Sequence, residues 1–317
     1  MLPELLHISR ADLLALRIPP ARMRAAMAEV FVDMATGQCM FLPKTQLEIA
    51  TGHSFQSMMA VSYRWSAAAL KWVSVVPPTP QASLAHISAV ICLNDLATGF
   101  PLALMDGEVI TLLRTAAMSA LAAQRMFAGK PEVLAFAGCG GQARHHLDAF
   151  CDLFPSISRV LCFNRSPASA VALAALARDR GLSSDIVTDP GMLLGGADIV
   201  ISTIPAAPGL QPVLDVSAMR PGALAVMVDL GRSWKLDGPR GFTRIVTDSL
   251  EQMRHPVDAA GQPVTTAAIT QDLLSDLSPA SDLQAFCFKG HAAGDLAAAV
   301  LVHDLVREQG MGRKLER

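Results

Sequence analysis

Val133-Leu134-Ala135-Phe136-Ala137-Gly138-Cys139-Gly140-Gly141-Gln142-Ala143 is the stretch that decides the fold. It opens with an unbroken apolar run, short enough for a strand buried on both faces. Gly138 to Ala143 then fit G-x-G-x-x-A, and the residues up to Phe154 read as helix. Alone the pattern is weak. Placed between a strand and a helix, with a second strand one βαβ unit later, it predicts a dinucleotide-binding turn. Gly138 permits the tight turn, and Gly140 lets the backbone approach a pyrophosphate. Ala143 allows the helix to pack closely on the strand, and the helix N-terminus supplies N–H groups and a positive dipole end. The competing reading is a chance glycine-rich turn.

The second strand, RVLCFNRS at 159–166, ends in Asn164-Arg165-Ser166, where an NAD-binding chain normally carries an acid for the ribose hydroxyls. No carboxylate stands there to repel a phosphate, and Arg165 and Ser166 are able to bind one. That favours NADP, with NAD still possible. Alternatively, Arg165 is an ordinary solvated charge. Downstream, an Ala-rich helix at 167–180 and strands within 197–205, 222–231 and 244–249 continue the alternation. This order implies a doubly wound parallel sheet with helices on both faces.

Upstream the rhythm differs. Residues 9 to 35 read as helix with Ser9 as a cap candidate, and 41 to 93 as β-strands divided by polar or Pro clusters such as PPTP at 77–80. DLATGFPLALMDG at 95–107 reads as a hairpin, 108–127 as helix, and AGKP at 128–131 as a domain boundary. A long helix closes the chain.

The bulk numbers fit a soluble two-domain enzyme. The 317 residues suffice for two domains, and 51% apolar with 17% charged residues is rich but not membrane-like. MLPELLHISRADLL lacks the basic start and apolar core of a signal peptide. A net charge of −2 offers no electrostatic case for nucleic acid or membrane partners. Six scattered cysteines without a C-x-x-C pair point to free thiols in a reducing, cytoplasmic setting and to no metal site. The surplus of Ala, Leu, Val and Met suits a chain that hides apolar surface between subunits.

Two cations sit in otherwise apolar elements. Lys71 lies between Leu70 and Trp72, and Arg114 lies in LLRTAAMSALAA. Strand alternation that turns Lys71 outward, and a helix surface for Arg114, would account for both. Pointed inward, they make a pocket for a small carboxylate. His86 reads as a satisfied core histidine, and His145 and His146 as helix face.

Together, LKWVSVVP at 70–77, ICLNDLATGFPLALMDG at 91–107, LLRTAAMSALAA at 112–123, GCGGQA, STIP at 202–205 and GHAAGDLAAA at 290–299 resemble the ornithine cyclodeaminase/mu-crystallin family, in its order and near its spacings. The resemblance implies a homodimer. It also implies a β-rich α+β substrate and dimerisation domain, residues 1–128 plus 288–317, with a Rossmann domain inserted at 129–287. Family substrates are small amino, imino or keto acids. Lys71 and Arg114 match positions that contact the substrate carboxylate. Arg114, Thr115, Gly141, Gln142, Thr203 and Lys235 match cofactor-side positions, as does His86 where the family often has threonine. Three departures stand out. FLPKTQ carries Lys44 near the place of a substrate-binding arginine. Lys289 replaces a usual apolar residue and is a candidate for a second acidic group on the substrate. The catalytic aspartate of a G-x-D turn falls at Gly231, with Asp229 two residues earlier.

The resulting expectation is an NAD(P)H-dependent reductase of a small imino or keto acid, or an amino-acid dehydrogenase. Pyrroline-2-carboxylate, piperideine-2-carboxylate, pyruvate with an amine, and iminosuccinate are all compatible. Lys71, Arg114 and Asp229 are the catalytic candidates. The alternatives are a cyclodeaminase with retained NAD and a non-enzymatic mu-crystallin-like binder.

Overall fold

Ile199–Ser202 and Val133–Ala137 are neighbouring parallel strands, and the chain leaves that pair in opposite directions. On one side the order continues through Arg159–Phe163 to Ser183–Ile186. On the other it runs through Leu224–Met227, Gln284–Cys287 and Arg244–Thr247 to Gln271–Asp272, parallel throughout. This is the doubly wound arrangement expected from the sequence. Reversal of strand order opens a crevice at the carboxyl ends of Val133–Ala137 and Ile199–Ser202, where such sheets bind ligands. Gly138 and Thr203 stand at those two ends. Leu134, Ala135, Phe136, Ile199, Val200, Ile201, Leu224, Ala225 and Val226 are fully buried, so these runs are buried on both faces rather than alternating.

The computed structural model describes residues 4–50, 52–76, 86–205, 207, 209–235, 241–253, 271–279 and 282–316. PPTP at 77–80 lies outside them. The chain divides into two compact units, Met1–Met118 with Gly290–Arg317, and Ser119–Lys289. The division falls inside the helix Gly107–Met126, ahead of AGKP, and on the far side between Lys289 and Gly290.

In the first unit, one sheet runs in the order Arg313–Leu315, Leu5–Ile8, Pro101–Asp106, Ile87–Asp95, Ala67–Val75, His53–Ser62, Cys39–Phe41, with Thr45–Ala50 pairing His53–Ser62 off that path. Ile87–Asp95 and Pro101–Asp106 form the expected hairpin. The helix Ala292–Glu308 packs on Ala67–Val75, on His53–Ser62 and on the helix Pro20–Ala35. Residues 10 to 35 are two helices rather than one, Arg10–Ala15 and Pro20–Ala35. Pro19-Pro20 explains the break, because the residue before a proline is driven out of the helical region.

Alternation along Ala67–Val75 turns Ala67, Ala69, Lys71 and Val73 inward, and leaves Leu70 and Trp72 exposed on the opposite face. The other face of the sheet therefore carries apolar side chains in water. Leu47, Met59 and Val90 on this face are also exposed, and Phe55 stacks on Trp72 with ring centroids 5.7 Å apart.

Candidate active site

Lys71 is 2% exposed, and Arg114 and Asp295 are equally withdrawn from water. Lys71 Nζ and Arg114 Nε both donate to Asp295 Oδ1, each at 2.8 Å. Lys71 Nζ also lies 3.4 Å from Thr111 Oγ1. The inward-facing alternative for both cations is thus the one the fold adopts. A strand, a middle helix and the first turn of the last helix each contribute one group. Gly294 makes the meeting possible: a Cβ there would stand 2.7 Å from Met118 Cε and 3.8 Å from Arg114 Cδ. Gly107 is equally constrained, because its Cβ would meet Ala89 Cβ at 2.7 Å.

Two basic side chains share one oxygen of a single carboxylate. Burial pushes the Lys71 ammonium down to about 7, Arg114 and Lys44 push in the same direction, and Asp295 resists. Burial alone would raise the Asp295 carboxyl, but Arg114 and Lys71 outweigh it and hold the group below the usual carboxylate range. Asp295 Oδ2 is buried without a hydrogen-bond partner among the described residues. Lys44 is half-exposed, in the segment before Thr45–Ala50. Chemically, such a cluster is able to receive a small anion, because a planar carboxylate suits a guanidinium beside an ammonium. The sequence singles out Lys71 and Arg114 but not Asp295. The signal available was an acid in the otherwise apolar AAGDLAAAV.

In the second unit, Gly138 adopts φ +93°, and a Cβ there would come within 2.9 Å of Thr203 Oγ1. Thr203 Oγ1 donates to the Gly138 carbonyl at 3.0 Å, and Thr203 N to the Ala137 carbonyl at 2.7 Å. A Cβ on Gly140 would meet nothing within 4 Å, so backbone faces open space immediately before the helix Gly141–Leu153. Ala143 is fully buried, as close helix packing requires. Asn164 ties the phosphate turn to the end of the second strand: its Oδ1 accepts from Cys139 N at 3.1 Å and its Nδ2 donates to the Ser166 carbonyl at 2.9 Å. Arg165 and Ser166 are exposed beside it, at the start of the helix Pro167–Asp179.

Two further buried polar atoms, one in each unit, lack a hydrogen-bond partner among the described residues. Gln142 Oε1, in this unit, has no partner among the described residues. Thr115 Oγ1, in the first unit, is also without one, whereas Thr111 on the same helix donates to the Gly107 carbonyl at 2.6 Å. An unmet buried polar group is costly unless a ligand completes it. Lys235 is exposed at the end of the short strand Trp234–Lys235, and Lys289 is half-buried with its N–H on Asp248 Oδ1 at 2.9 Å. His86 is half-exposed rather than in the core, and its Nδ1 hydrogen-bonds the Val76 carbonyl.

Asp229 is buried and fully engaged. Its Oδ1 accepts from Ser202 Oγ at 2.8 Å and from Gly231 N at 3.2 Å, and its Oδ2 from Ser233 Oγ at 2.5 Å. Trp234 Nε1 donates in turn to Ser202 Oγ at 2.9 Å. Burial raises the Asp229 carboxyl, and these bonds oppose the rise. The network closes the turn in which Leu230 and Gly231 take φ of 63° and 76°. His146 is not helix face but fully buried. Its Nδ1 lies 2.8 Å from the Gln142 carbonyl, which can only accept, so Nδ1 carries the proton; Nε2 then accepts from Ser119 Oγ at 3.0 Å. Burial depresses its pKa to about 4, so it is neutral at physiological pH.

The sequence profile described as the ornithine cyclodeaminase/mu-crystallin family matches residues 16–310. The mouse protein named ketimine reductase mu-crystallin is 30% identical over 305 residues, covering 94% of this chain and 93% of its own. An alanine dehydrogenase of Archaeoglobus fulgidus is 28% identical over 305 residues, with 92% of each chain covered. Among solved structures, an archaeal alanine dehydrogenase dimer with bound NAD superposes with a TM-score of 0.82 at 25% identity, covering 99% of both chains. With the doubly wound sheet and the sequence match over nearly all its length, this chain belongs to the ornithine cyclodeaminase/mu-crystallin family.

Proposed function

We propose that this protein reduces a small imino or keto acid with a nicotinamide dinucleotide, or runs the same chemistry in reverse on an amino acid. The observation that carries the reading is the buried Lys71–Asp295–Arg114 cluster, with two cations to one anion. Relatives named ketimine reductase and alanine dehydrogenase, and a solved relative with bound NAD, support the same class of reaction. Lys71 and Arg114 receive the substrate carboxylate, with Lys44 adding positive potential. Held there by its carboxylate, the substrate presents the neighbouring sp² carbon in a fixed orientation. The bound nicotinamide supplies the hydride. A cationic surrounding draws electrons from the imine or carbonyl and makes that carbon more electrophilic. Lys71, close to its midpoint at neutral pH, is suited to donate a proton where the substrate requires one.

The phosphate loop Gly138–Ala143 takes the pyrophosphate, with Gln142, Thr203 and Lys235 on the cofactor side and Thr115 supplying a hydroxyl. NADPH is preferred: Arg165 and Ser166 bind its 2′-phosphate at the helix start, and no acid opposes it. Asp229 shapes the turn after Leu224–Met227, because both of its oxygens are already committed. A cyclodeaminase would need a carboxylate able to exchange protons beside the substrate amine.

The protein acts as a homodimer, joined through the apolar outer face of the first unit's sheet. A panel of pyrroline-2-carboxylate, piperideine-2-carboxylate, pyruvate with methylamine, and iminosuccinate, each with NADPH and NADH at 340 nm, tests the function. Net NADPH consumption with at least one of them is the expected result. Proline formed from ornithine with no net cofactor change would replace the reading with cyclodeamination. Tight binding without turnover would make the protein a binder.

A further inference from the structure

Asp295 stands in the first turn of the helix Ala292–Glu308, 224 residues from Lys71 and 181 from Arg114 in sequence. We propose that Asp295 is a positioning residue of the substrate site: its Oδ1 draws Lys71 Nζ and Arg114 Nε to one point, and its charge keeps Lys71 protonated to receive a carboxylate. The inference rests on the reading that Lys71 and Arg114 bind the substrate carboxylate.

The geometry argues for it directly. Two cations buried in apolar surroundings repel each other, and neither has water to screen it. An arginine cannot relieve that repulsion by losing its proton, but a lysine can. Charged and polar groups face Lys71 from three other elements. Arg114 and Thr111 come from Gly107–Met126, Asp295 from Ala292–Glu308, and Lys44 from the segment before Thr45–Ala50. Of these only Asp295 is an anion. It is buried and bonded to both cations at 2.8 Å, on a helix that approaches Met118 too closely at Gly294 to admit a Cβ. Among the described residues, Asp295 alone opposes the loss of the Lys71 proton before substrate arrives. Once the carboxylate is bound, a second anion shares that task. Asp295 therefore matters most for capture and less for turnover of the filled site.

Removing the charge should have a specific signature. In Asp295→Asn, Lys71 should titrate lower by about one pH unit or more, as expected for losing an opposite charge in contact. The high-pH limb of kcat/KM, which reports the free enzyme, should move down by the same amount. KM should rise severalfold at neutral pH, kcat should fall less, and lowering the pH should recover part of kcat/KM. Asp295→Glu keeps the charge and should retain the limb, even if its extra methylene costs affinity.

The experiment follows the Lys71 ε-carbon by NMR in full-length protein labelled with [ε-13C]lysine, the signal being assigned by its loss in Lys71→Met. It is paired with pH profiles of kcat/KM on whichever panel substrate consumes NADPH. A Lys71 midpoint near 7 in the parent and a lower one in Asp295→Asn, restored in Asp295→Glu, is the expected result. An unmoved Lys71 midpoint, or a loss of kcat/KM equal at every pH, would overturn the proposal. If Asp295→Asn does not fold, a shifted limb in Asp295→Glu overturns it and a retained limb supports it. A shifted Lys71 midpoint in a protein that reduces none of the panel would sink the functional reading while leaving the anchor supported.

Discussion

Lys71 lies on the strand Ala67–Val75 between two apolar neighbours, Leu70 and Trp72. In LKWVSVV the residues on both sides of the strand are apolar, so alternation alone leaves its direction open. Packing of the strand on the final helix, and the partner at Asp295, decide it. Lys71→Ala and Arg114→Ala should each lower kcat/KM by an amount on the order of 2–4 kcal/mol in transition-state binding, because the remaining groups compensate the substrate charge poorly. Near-normal kcat/KM in both variants would place the carboxylate elsewhere. Arg165 allows a cleaner separation: Arg165→Ala should weaken NADPH by about 1–3 kcal/mol and leave NADH nearly unchanged. Equal losses for the two cofactors would contradict the 2′-phosphate assignment. His146 gives a pH prediction. Its folded pKa of about 4 lies below the ordinary 6.5. Between those values the unfolded chain binds a proton that the folded one refuses, so stability falls as pH drops through the window, by up to about 3 kcal/mol. Urea unfolding at pH 7 and pH 5 measures it, and His146→Gln should shrink the difference. The sequence shows His146 only as one of two adjacent histidines. Its burial depends on which helix face meets the sheet.

At the scale of elements, the phosphate turn was legible because glycine and alanine are there for backbone reasons that any sequence displays. Gly138 needs its positive φ, and Ala143 its small size. The long apolar strands and the final helix were legible by their periodicity. Gln284–Cys287 was not, although it lies in the interior of the parallel sheet. Its four residues follow Ser, Pro and Asp, and no local pattern marks so short a strand. Leu5–Ile8 was hidden for a related reason, since its partners are distant in sequence. Asp295 shows the same limit at the site: one acid in an alanine-rich helix, meaningful only when three remote elements converge. Gly294 tests that convergence. Gly294→Ala would put a methyl 2.7 Å from Met118 Cε and should destabilise the fold by about 1–3 kcal/mol through overpacking. Adding Met118→Ala should recover part of the lost Tm. No loss in Gly294→Ala alone would mean that the helices are not held at this approach.

At the scale of the whole molecule, the apolar excess in the composition has a visible destination. Leu70 and Trp72 are exposed on the outer sheet face at 37% and 47%, with their cross-strand partners Met59 and Val90 beside them. A contiguous patch of this kind is expected at an interface. Light scattering at micromolar concentration should give a dimer, and Trp72→Glu should give a monomer, since an aromatic anchor replaced by a charge typically costs about 2 kcal/mol or more. A monomeric parent protein would refute the interface. Among the described residues no helix is long and apolar enough to cross a membrane. In the proposed reaction, hydride passes from a nicotinamide to the carbon beside a carboxylate held by Lys71 and Arg114. Reduction of the accepted imino or keto acid with NADPH deuterated at C4, on the face the enzyme uses, tests this most directly by mass spectrometry of the product. One deuterium at the α-carbon per NADPH consumed is the predicted result. Product without that deuterium, or proline from ornithine with the cofactor pool unchanged, would contradict it.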